Sequence, residues 1–181
     1  MKKQARRYRG LVYRAHNPRW AFLPISGEGA ARWGGRFNPI GTPALYTSER
    51  FETAWLEAQQ GFSYKTQPLL LCSYDVDCSH ILDLTNPMIL ERLGVEPDEL
   101  NCPWELLADE RVEPPTWALA RRCIEAGIQG ARVPSFARGA TVRDINLVFW
   151  SWSEQAPNRV VVIDDEQRLP RNSLSWQDNE N

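Results

Sequence analysis

The sequence predicts a single α+β domain, with a mixed or antiparallel sheet at its core and helices flanking it. The chain has 181 residues and a hydrophobic content of 43%, which suits one domain of ordinary size. Strand-like and helix-like segments are interspersed without a regular βαβ repeat. No glycine-rich turn lies directly between a buried strand and a helix, which argues against a Rossmann or P-loop nucleotide-binding fold.

Apolar runs between turn residues predict the strands, which we expect at 10–16, 44–47, 69–76, 80–84, 131–134, 145–152 and 159–164. A first helix is expected to begin at Ser48 as N-cap and to run to about Gln60, with Gly61 ending it. Further helices are expected at 87–93, near 97–108 and at 117–126. The long segment 17–43 is rich in Gly, Pro, Asn and Arg, so it is either functional or contains short pieces of structure.

The ends of the chain predict the domain limits. Residues 1–9 are expected to be a flexible N-terminal tail and residues 171–181, which are polar, a flexible C-terminal tail. The folded domain is therefore expected to cover 10–170.

Composition excludes several classes of protein. A net charge of −2 argues against a nucleic-acid-binding protein that works through bulk electrostatics. No run of 18 apolar residues predicts a membrane span, and no apolar segment follows the basic N-terminus as in a secretory signal. The four cysteines lack CxxC spacing and only two histidines are present, so we expect no metal site and free thiols in a cytoplasmic protein.

The run Trp33-Gly34-Gly35-Arg36-Phe37-Asn38-Pro39 is the most informative motif. Two glycines allow close approach of the backbone to a ligand, and the arginine that follows carries a planar cation suited to bidentate contact with phosphate. The motif therefore indicates an anion site at Arg36. A surface arginine paired with a carboxylate is the alternative.

Two candidate residues follow in the next strand and helix. Tyr46 ends the predicted strand, where its ring can stack on a planar heterocycle. Glu57 lies at the edge of the apolar stripe of the next helix, so its carboxylate can face the same cleft. A core tyrosine and a solvated helix glutamate are the ordinary alternatives for these positions.

Two more polar residues lie beside predicted strands. Ser135 follows Val133-Pro134, where a hydroxyl can bind a ligand amide or orient a carboxylate, although a turn-forming serine is equally typical there. Asn146 begins an apolar strand and needs hydrogen-bond partners from the fold or from a ligand. No GxSxG elbow is present, so Ser135 is not expected to be a hydrolase nucleophile.

In combination and order, these motifs resemble the RES domain family. Arg36 in Gly-Gly-Arg-Phe-Asn-Pro, Glu57 in the helix after Ala-Leu-Tyr-Thr and Ser135 in Val-Pro-Ser match the residues that give the domain its name. The segments 11–14, 26–30 and 146–148 also resemble that family, and the resemblance spans about residues 10–165.

The resemblance implies a toxin of a bacterial type II toxin–antitoxin system with a fold similar to that of ADP-ribosyltransferases. It implies NAD⁺ as substrate without a metal, and a cognate Xre-like antitoxin as the partner that covers the active site, with no direct contact of the toxin to nucleic acid or membrane. By this resemblance Glu57, Arg36 and Ser135 are the candidate catalytic residues. The candidate NAD⁺-binding residues are Gly34, Gly35, Arg36, Tyr46, Ser135 and Asn146.

The expected reaction is cleavage of the nicotinamide–ribose bond of NAD⁺, as a glycohydrolase or a phosphorylase that depletes NAD⁺. A protein mono-ADP-ribosyltransferase with the same bond cleavage is the first alternative. A non-catalytic interaction module is the second, since eight tryptophans are enough to build an exposed apolar patch.

Overall fold

The structure is a computed structural model that describes residues 1–60 and 67–174. It has six strands: β1 (Arg6–His16), β2 (Leu45–Ser48), β3 (Leu70–Asp83), β4 (Gly130–Pro134), β5 (Ile145–Phe149) and β6 (Asn158–Val162). The α-helices are α1 (Glu28–Trp33), α2 (Phe51–Ala58), α3 (Pro87–Leu93), α4 (Pro97–Leu100), α5 (Trp104–Asp109) and α6 (Pro115–Glu125). The predicted α+β class with a mixed sheet is confirmed.

The strand pairings form a closed ring. β3 pairs with β1 along one edge and with β6 and then β4 along the other. The ring continues from β4 to β5, from β5 to β2 and from β2 back to β1. Only the β3–β4 pairing is parallel among the pairs of these named strands. A single residue pair, Tyr13 with Ser48, joins β1 to β2, so the two strands separate on either side of it.

Two groups of buried side chains fill the two faces of this sheet. One group packs inside the ring, and its largest members include Leu45, Tyr74, Leu147 and Phe149. The other lies between the opposite face and helices α3, α4 and α6. Successive residues of a strand face opposite sides. Because Leu45 and Leu147 face the inside of the ring, Tyr46, Ser48, Asn146 and Val148 face the other side.

The first strand corrects the predicted N-terminal tail. β1 begins at Arg6, and Lys2–Gln4 forms a turn of 3₁₀ helix that leaves Ala5 buried in the core. Residues 6–9 are polar on both faces, so their sequence lacks the alternation that marks a half-buried strand. They are held instead by pairing with β3, for example between Tyr8 and Cys78.

Several predicted boundaries also shift. The strands expected at 69–76 and 80–84 are one continuous strand, because Tyr74, Val76 and Cys78 alternate inward along it. The strand expected at 145–152 ends at Phe149. Ser48 belongs to β2, and Arg50 is the N-cap of the helix expected from Ser48. The helix expected near 97–108 is divided into α4 and α5 around Cys102-Pro103, since proline disfavours a continuous helix.

The segment 17–43 contains the short 3₁₀ helix Pro18–Trp20 and helix α1, in line with the expectation of short pieces of structure. The expected helix end at Gly61, and residues 175–181 of the expected C-terminal tail, lie outside the described residues. Within the described ranges, no helix is long and apolar enough to cross a membrane.

Candidate active site

The carboxylate of Glu57 lies at the centre of a group of polar side chains from three elements. Glu57 is in the last turn of α2, and its Oε1 accepts a hydrogen bond of 2.6 Å from Ser135 Oγ, just beyond β4. The same oxygen accepts a bond of 2.5 Å from Asn146 Nδ2 in β5. Its Oε2 accepts a bond from Gln60 Nε2. Two donors from the sheet therefore fix the direction of the carboxylate.

Helix α2 is held in place one turn before Glu57. The buried Thr53 hydroxyl donates a 2.6 Å hydrogen bond to Asp144 Oδ1, and Asp144 Oδ2 accepts bonds from the backbone and hydroxyl of Thr141. These hydrogen bonds, that of Thr53 foremost, lower the pKa of Asp144. Residues four apart on a helix share a face. Anchoring Thr53 to the loop before β5 therefore also directs Glu57 toward the sheet.

Ser48 determines how the amide of Asn146 is oriented. The two residues face each other across the β2–β5 ladder, and Ser48 Oγ donates a 2.7 Å bond to Asn146 Oδ1. A hydroxyl donor on the oxygen side leaves the amide nitrogen to face the Glu57 carboxylate. The reverse orientation would place two oxygens against each other. Ser48 is buried, and its partner Asn146 lies 98 residues further along the chain, so the N-cap role expected for Ser48 is replaced by this contact.

Tyr46 is anchored through its hydroxyl. The phenol donates a 2.7 Å bond to Asn38 Oδ1 and accepts one of 3.0 Å from the Phe37 backbone N–H. Asn38 is fully buried and donates through Nδ2 to the carbonyls of Ala30 and Thr42. Burial raises the pKa of Tyr46 well above its ordinary value, so the phenol is neutral at physiological pH.

Side chains of the protein itself pack closely against Gly34 and Gly35. A Cβ on Gly35 would lie 2.6 Å from the Tyr46 hydroxyl, and one on Gly34, which has a φ of 75°, would lie 3.2 Å from the Trp117 ring. The Gly35 carbonyl also accepts a bond from Trp117 Nε1. The protein's own side chains therefore occupy the space that the glycines leave. The packing of Tyr46 and Trp117 explains the need for glycine at these two positions, without a ligand close to the backbone.

Arg36 is half-buried beside Glu57. Its NH1 donates to the carbonyls of Cys102 at 2.6 Å and Leu100 at 3.3 Å, and its Cζ lies 4.7 Å from the centroid of the Phe136 ring. Burial lowers the pKa of the guanidinium below its ordinary value, but arginine stays charged at neutral pH. The alternative of a surface ion pair is wrong for this arginine, because its partners in the described residues are carbonyls and an aromatic ring.

Two adjoining cavities meet at Glu57. The inner cavity, of about 60 Å³, has Arg36, Phe136 and Val148 among its walls. The central cavity, of about 260 Å³, lies where β1 and β2 separate, between Tyr13, Ser48 and α2. Tyr46, Glu57 and Asn146 line both. The structure thus brings together four of the predicted site residues, Arg36, Tyr46, Glu57 and Asn146, around one cleft, and Ser135 joins them through its hydrogen bond to Glu57.

Sequence reasoning missed three residues of this site: Asn38, Ser48 and Phe136. Asn38 follows Arg36 closely in the motif, and the available signal was an asparagine in a glycine- and proline-rich turn, a residue that often hydrogen-bonds to nearby backbone. No local sequence pattern distinguishes Ser48 or Phe136, because their roles depend on partners distant in the chain.

In the described part of the chain, no group of three or more His, Cys, Asp or Glu side chains is arranged to hold a metal ion.

The model of the RES domain matches residues 11–172. The chain belongs to the RES domain family. That span includes every residue of the candidate site, from Gly34 to Asn146.

Named relatives and one solved structure are similar to the chain. It is 36% identical over 85 residues to the NAD(+) phosphorylase MbcT of Mycobacterium tuberculosis and of Mycobacterium bovis. The match covers 42% of this chain and 46% of those proteins, so the chain spans about half the length of the curated relatives it matches. The crystal structure of the M. tuberculosis MbcT–MbcA toxin–antitoxin complex has a similar fold, with a TM-score of 0.62 and 22% identity over 88% of this chain and 84% of that one.

Proposed function

We propose that this protein is an NAD⁺-cleaving toxin that breaks the nicotinamide–ribose bond and depletes NAD⁺. The observation that carries the proposal is the Glu57 carboxylate, held by Ser135 and Asn146 at the junction of two cavities, with the fixed cation Arg36 bordering one of them. Membership of the RES family and the similarity to an NAD(+) phosphorylase support the same chemistry.

The chemistry needs one carboxylate. Cleavage passes through an oxocarbenium-like state, as in glycoside hydrolysis. The electron pair of the broken bond goes to the nicotinamide nitrogen, which is cationic in the substrate and leaves neutral, so no general acid is required for departure. Glu57 would accept a hydrogen bond from a ribose hydroxyl and stabilise the positive charge that develops at the anomeric carbon.

The neighbouring residues would bind the dinucleotide. Arg36 would hold the pyrophosphate, because a guanidinium retains free N–H donors when NH1 is occupied by two carbonyls. The Tyr46 hydroxyl is already paired, so its ring face is the part offered to nicotinamide. Ser135 would hydrogen-bond at the nicotinamide ribose or amide, and Asn146 would keep Glu57 directed at the sugar.

The acceptor of the ADP-ribose is water or inorganic phosphate. Attack of water on the anomeric carbon forms ADP-ribose and releases a proton, whereas attack of phosphate forms a phosphorylated ADP-ribose. The similarity to MbcT, named as a phosphorylase, favours phosphate.

We also propose a cognate antitoxin that covers this cleft, in keeping with the toxin–antitoxin complex of the similar fold.

A cytoplasmic location fits a protein whose substrate is an intracellular dinucleotide and whose four cysteines are free thiols.

The test is incubation of the purified protein with NAD⁺ labelled in the adenosine half, with and without inorganic phosphate. We expect inorganic phosphate to accelerate the release of nicotinamide and to yield a phosphorylated ADP-ribose, whereas release at the same rate without phosphate would make water the acceptor. Label attached to protein would replace this proposal by the mono-ADP-ribosyltransferase alternative. Intact NAD⁺ after incubation under both conditions would overturn the proposal.

A further inference from the structure

A third cavity, of about 380 Å³, lies outside the site described so far. We call it the outer cavity; it is bounded by the segment 17–26, the end of β1 and helix α1. Its walls include Arg14, Trp20, Leu23, Glu28, Arg32 and Trp33. No residue predicted from the sequence as part of the site lines it.

The outer cavity is a neighbour of the cleft at Glu57. Arg14 lines both the outer and the central cavity, so the two share a wall at this residue. A ligand bound at Glu57 that extends along the gap between β1 and β2 therefore meets Arg14 before it reaches the outer cavity.

Arg14 is a fixed cation at this junction. Its NH1 donates to the carbonyls of Ser26 at 3.1 Å and Pro24 at 3.2 Å, which hold the side chain against the segment 17–26. No carboxylate within the described ranges forms an ion pair with it. A half-buried guanidinium whose partners are carbonyls retains its charge for an anionic ligand, and phosphate matches its geometry.

The outer end of the cavity offers aromatic surface. The side chains of Trp33 and Trp20 are 70% and 56% exposed, an unusual state for the largest apolar residue. The guanidinium of Arg32 lies 4.9 Å from the centroid of the Trp33 ring. Exposed indole rings with an adjacent arginine are the surface on which nucleobases stack.

We propose that the outer cavity binds the adenosine half of the dinucleotide, with the adenine on Trp33 and Trp20. The adenosine-side phosphate of the pyrophosphate would lie at Arg14, and the nicotinamide-side phosphate would be the one that Arg36 holds. The inference rests on the proposed function, since it extends the same substrate from Glu57 outward. Glu28 borders the cavity as an acceptor for ribose hydroxyls. The fixed cation at the inner end favours this occupant over a protein partner, for which the exposed tryptophans alone would suffice.

The test measures binding without turnover. Titration calorimetry of the full chain with AMP and with ADP-ribose is compared for wild type, Trp33→Ala and Trp20→Ala. The control is Leu106→Ala in α5, whose side chain is 57% exposed and does not line the cavity. We expect Trp33→Ala to weaken both ligands about tenfold, the effect of losing one base–aromatic stack, and Leu106→Ala to bind as wild type does.

The outcomes separate this inference from the proposed function. Equal affinity of wild type and both tryptophan variants, or no binding of AMP and ADP-ribose by wild type, overturns the outer cavity as the adenosine site, even if the protein cleaves NAD⁺. Tryptophan variants that lose a protein partner but keep nucleotide affinity overturn it as well. Binding of AMP that depends on Trp33, in a protein that leaves NAD⁺ intact, supports the cavity and overturns the cleavage proposal alone.

Discussion

Ser135 Oγ donates a 2.6 Å hydrogen bond to Glu57 Oε1 across 78 positions of sequence. The bond joins the end of β4 to the last turn of α2, and Asn146 adds a second donor to the same oxygen. A carboxylate that accepts two hydrogen bonds keeps a fixed orientation without an ion pair to a neighbouring arginine. Its negative charge therefore remains available to a developing cation.

Replacing Glu57 by Gln tests the need for that charge. Gln keeps the size of the side chain but is neutral, so we expect NAD⁺ cleavage to fall about 10²–10³-fold, the usual effect of removing one electrostatic contact to a transition state. Loss of NAD⁺ is followed by assay, and thermal unfolding shows that the fold is retained. Glu52→Gln in the first turn of the same helix, where Glu52 is exposed and pairs with Arg50, is the matched control. Wild-type turnover by Glu57→Gln would contradict the role.

Ser48 is predicted to position Asn146. Ser48→Ala removes the hydroxyl that holds Asn146 Oδ1, so the amide can rotate and place its oxygen toward Glu57. We expect kcat to fall about tenfold, as for a lost buried hydrogen bond. Ser48 lines the central cavity, but its hydroxyl donates to Asn146 Oδ1, so we expect KM for NAD⁺ to change little. Ser48→Cys, with a weak donor, should recover part of kcat. A change confined to KM would contradict a positioning role.

Arg36→Lys tests the cation in the inner cavity. Lysine offers a compact point charge and lacks the planar fork that can bind a phosphate with two parallel N–H donors while NH1 bonds the carbonyls of Cys102 and Leu100. We therefore expect NAD⁺ affinity to fall about tenfold or more. The measurement is the affinity for NAD⁺ in the Glu57→Gln background, where no turnover intervenes. Arg138→Lys, at an exposed position of the loop after Ser135, is the control. Unchanged affinity in Arg36→Lys would remove Arg36 from the pyrophosphate site.

The buried thiols predict how stability depends on pH. Burial raises the pKa of Cys78 and Cys123 from 9.0 to about 12. The folded chain therefore keeps protons that the unfolded chain loses, so the stabilisation is complete below pH 9.0 and is lost as pH rises toward about 12. We expect the free energy of unfolding to fall above this lower limit, by at most about 1.4 kcal/mol per pH unit for each thiol.

Urea unfolding under reducing conditions at about pH 8 and about pH 10 measures this slope. That range lies largely below the one in which Tyr8, whose pKa burial raises to about 12, adds its own contribution. Cys123→Ala should reduce the slope as well as the stability at neutral pH. A free energy of unfolding that is the same at both pH values would show that the thiols are not protected by the fold.

The elements with strong local signals could be predicted from the sequence. Helix α3 begins at Pro87 after the N-cap Asn86 and ends before Gly94, whose φ is 64°. The residues at its two ends therefore predict both of its limits. The entry of residues 6–9 into β1 could not be predicted, because those residues owe their conformation to β3. The separation of α4 from α5 was likewise missed, although Pro103 was visible.

For the site, the sequence by itself determined the family and the identity of the side chains, since Arg36, Tyr46, Glu57, Ser135 and Asn146 stand in motifs that are specific in combination. Only the tertiary structure decided what each side chain contacts. Gly35 makes room for Tyr46, Arg36 is bound by carbonyls of the 100–102 segment, and Ser48 orients Asn146. The partners of Arg36 are 64 and 66 residues away, beside the α4–α5 junction, and the partner of Ser48 is 98 residues away across the β2–β5 ladder. Helix packing and strand pairing bring these residues together, and no local pattern encodes partners so distant in the chain.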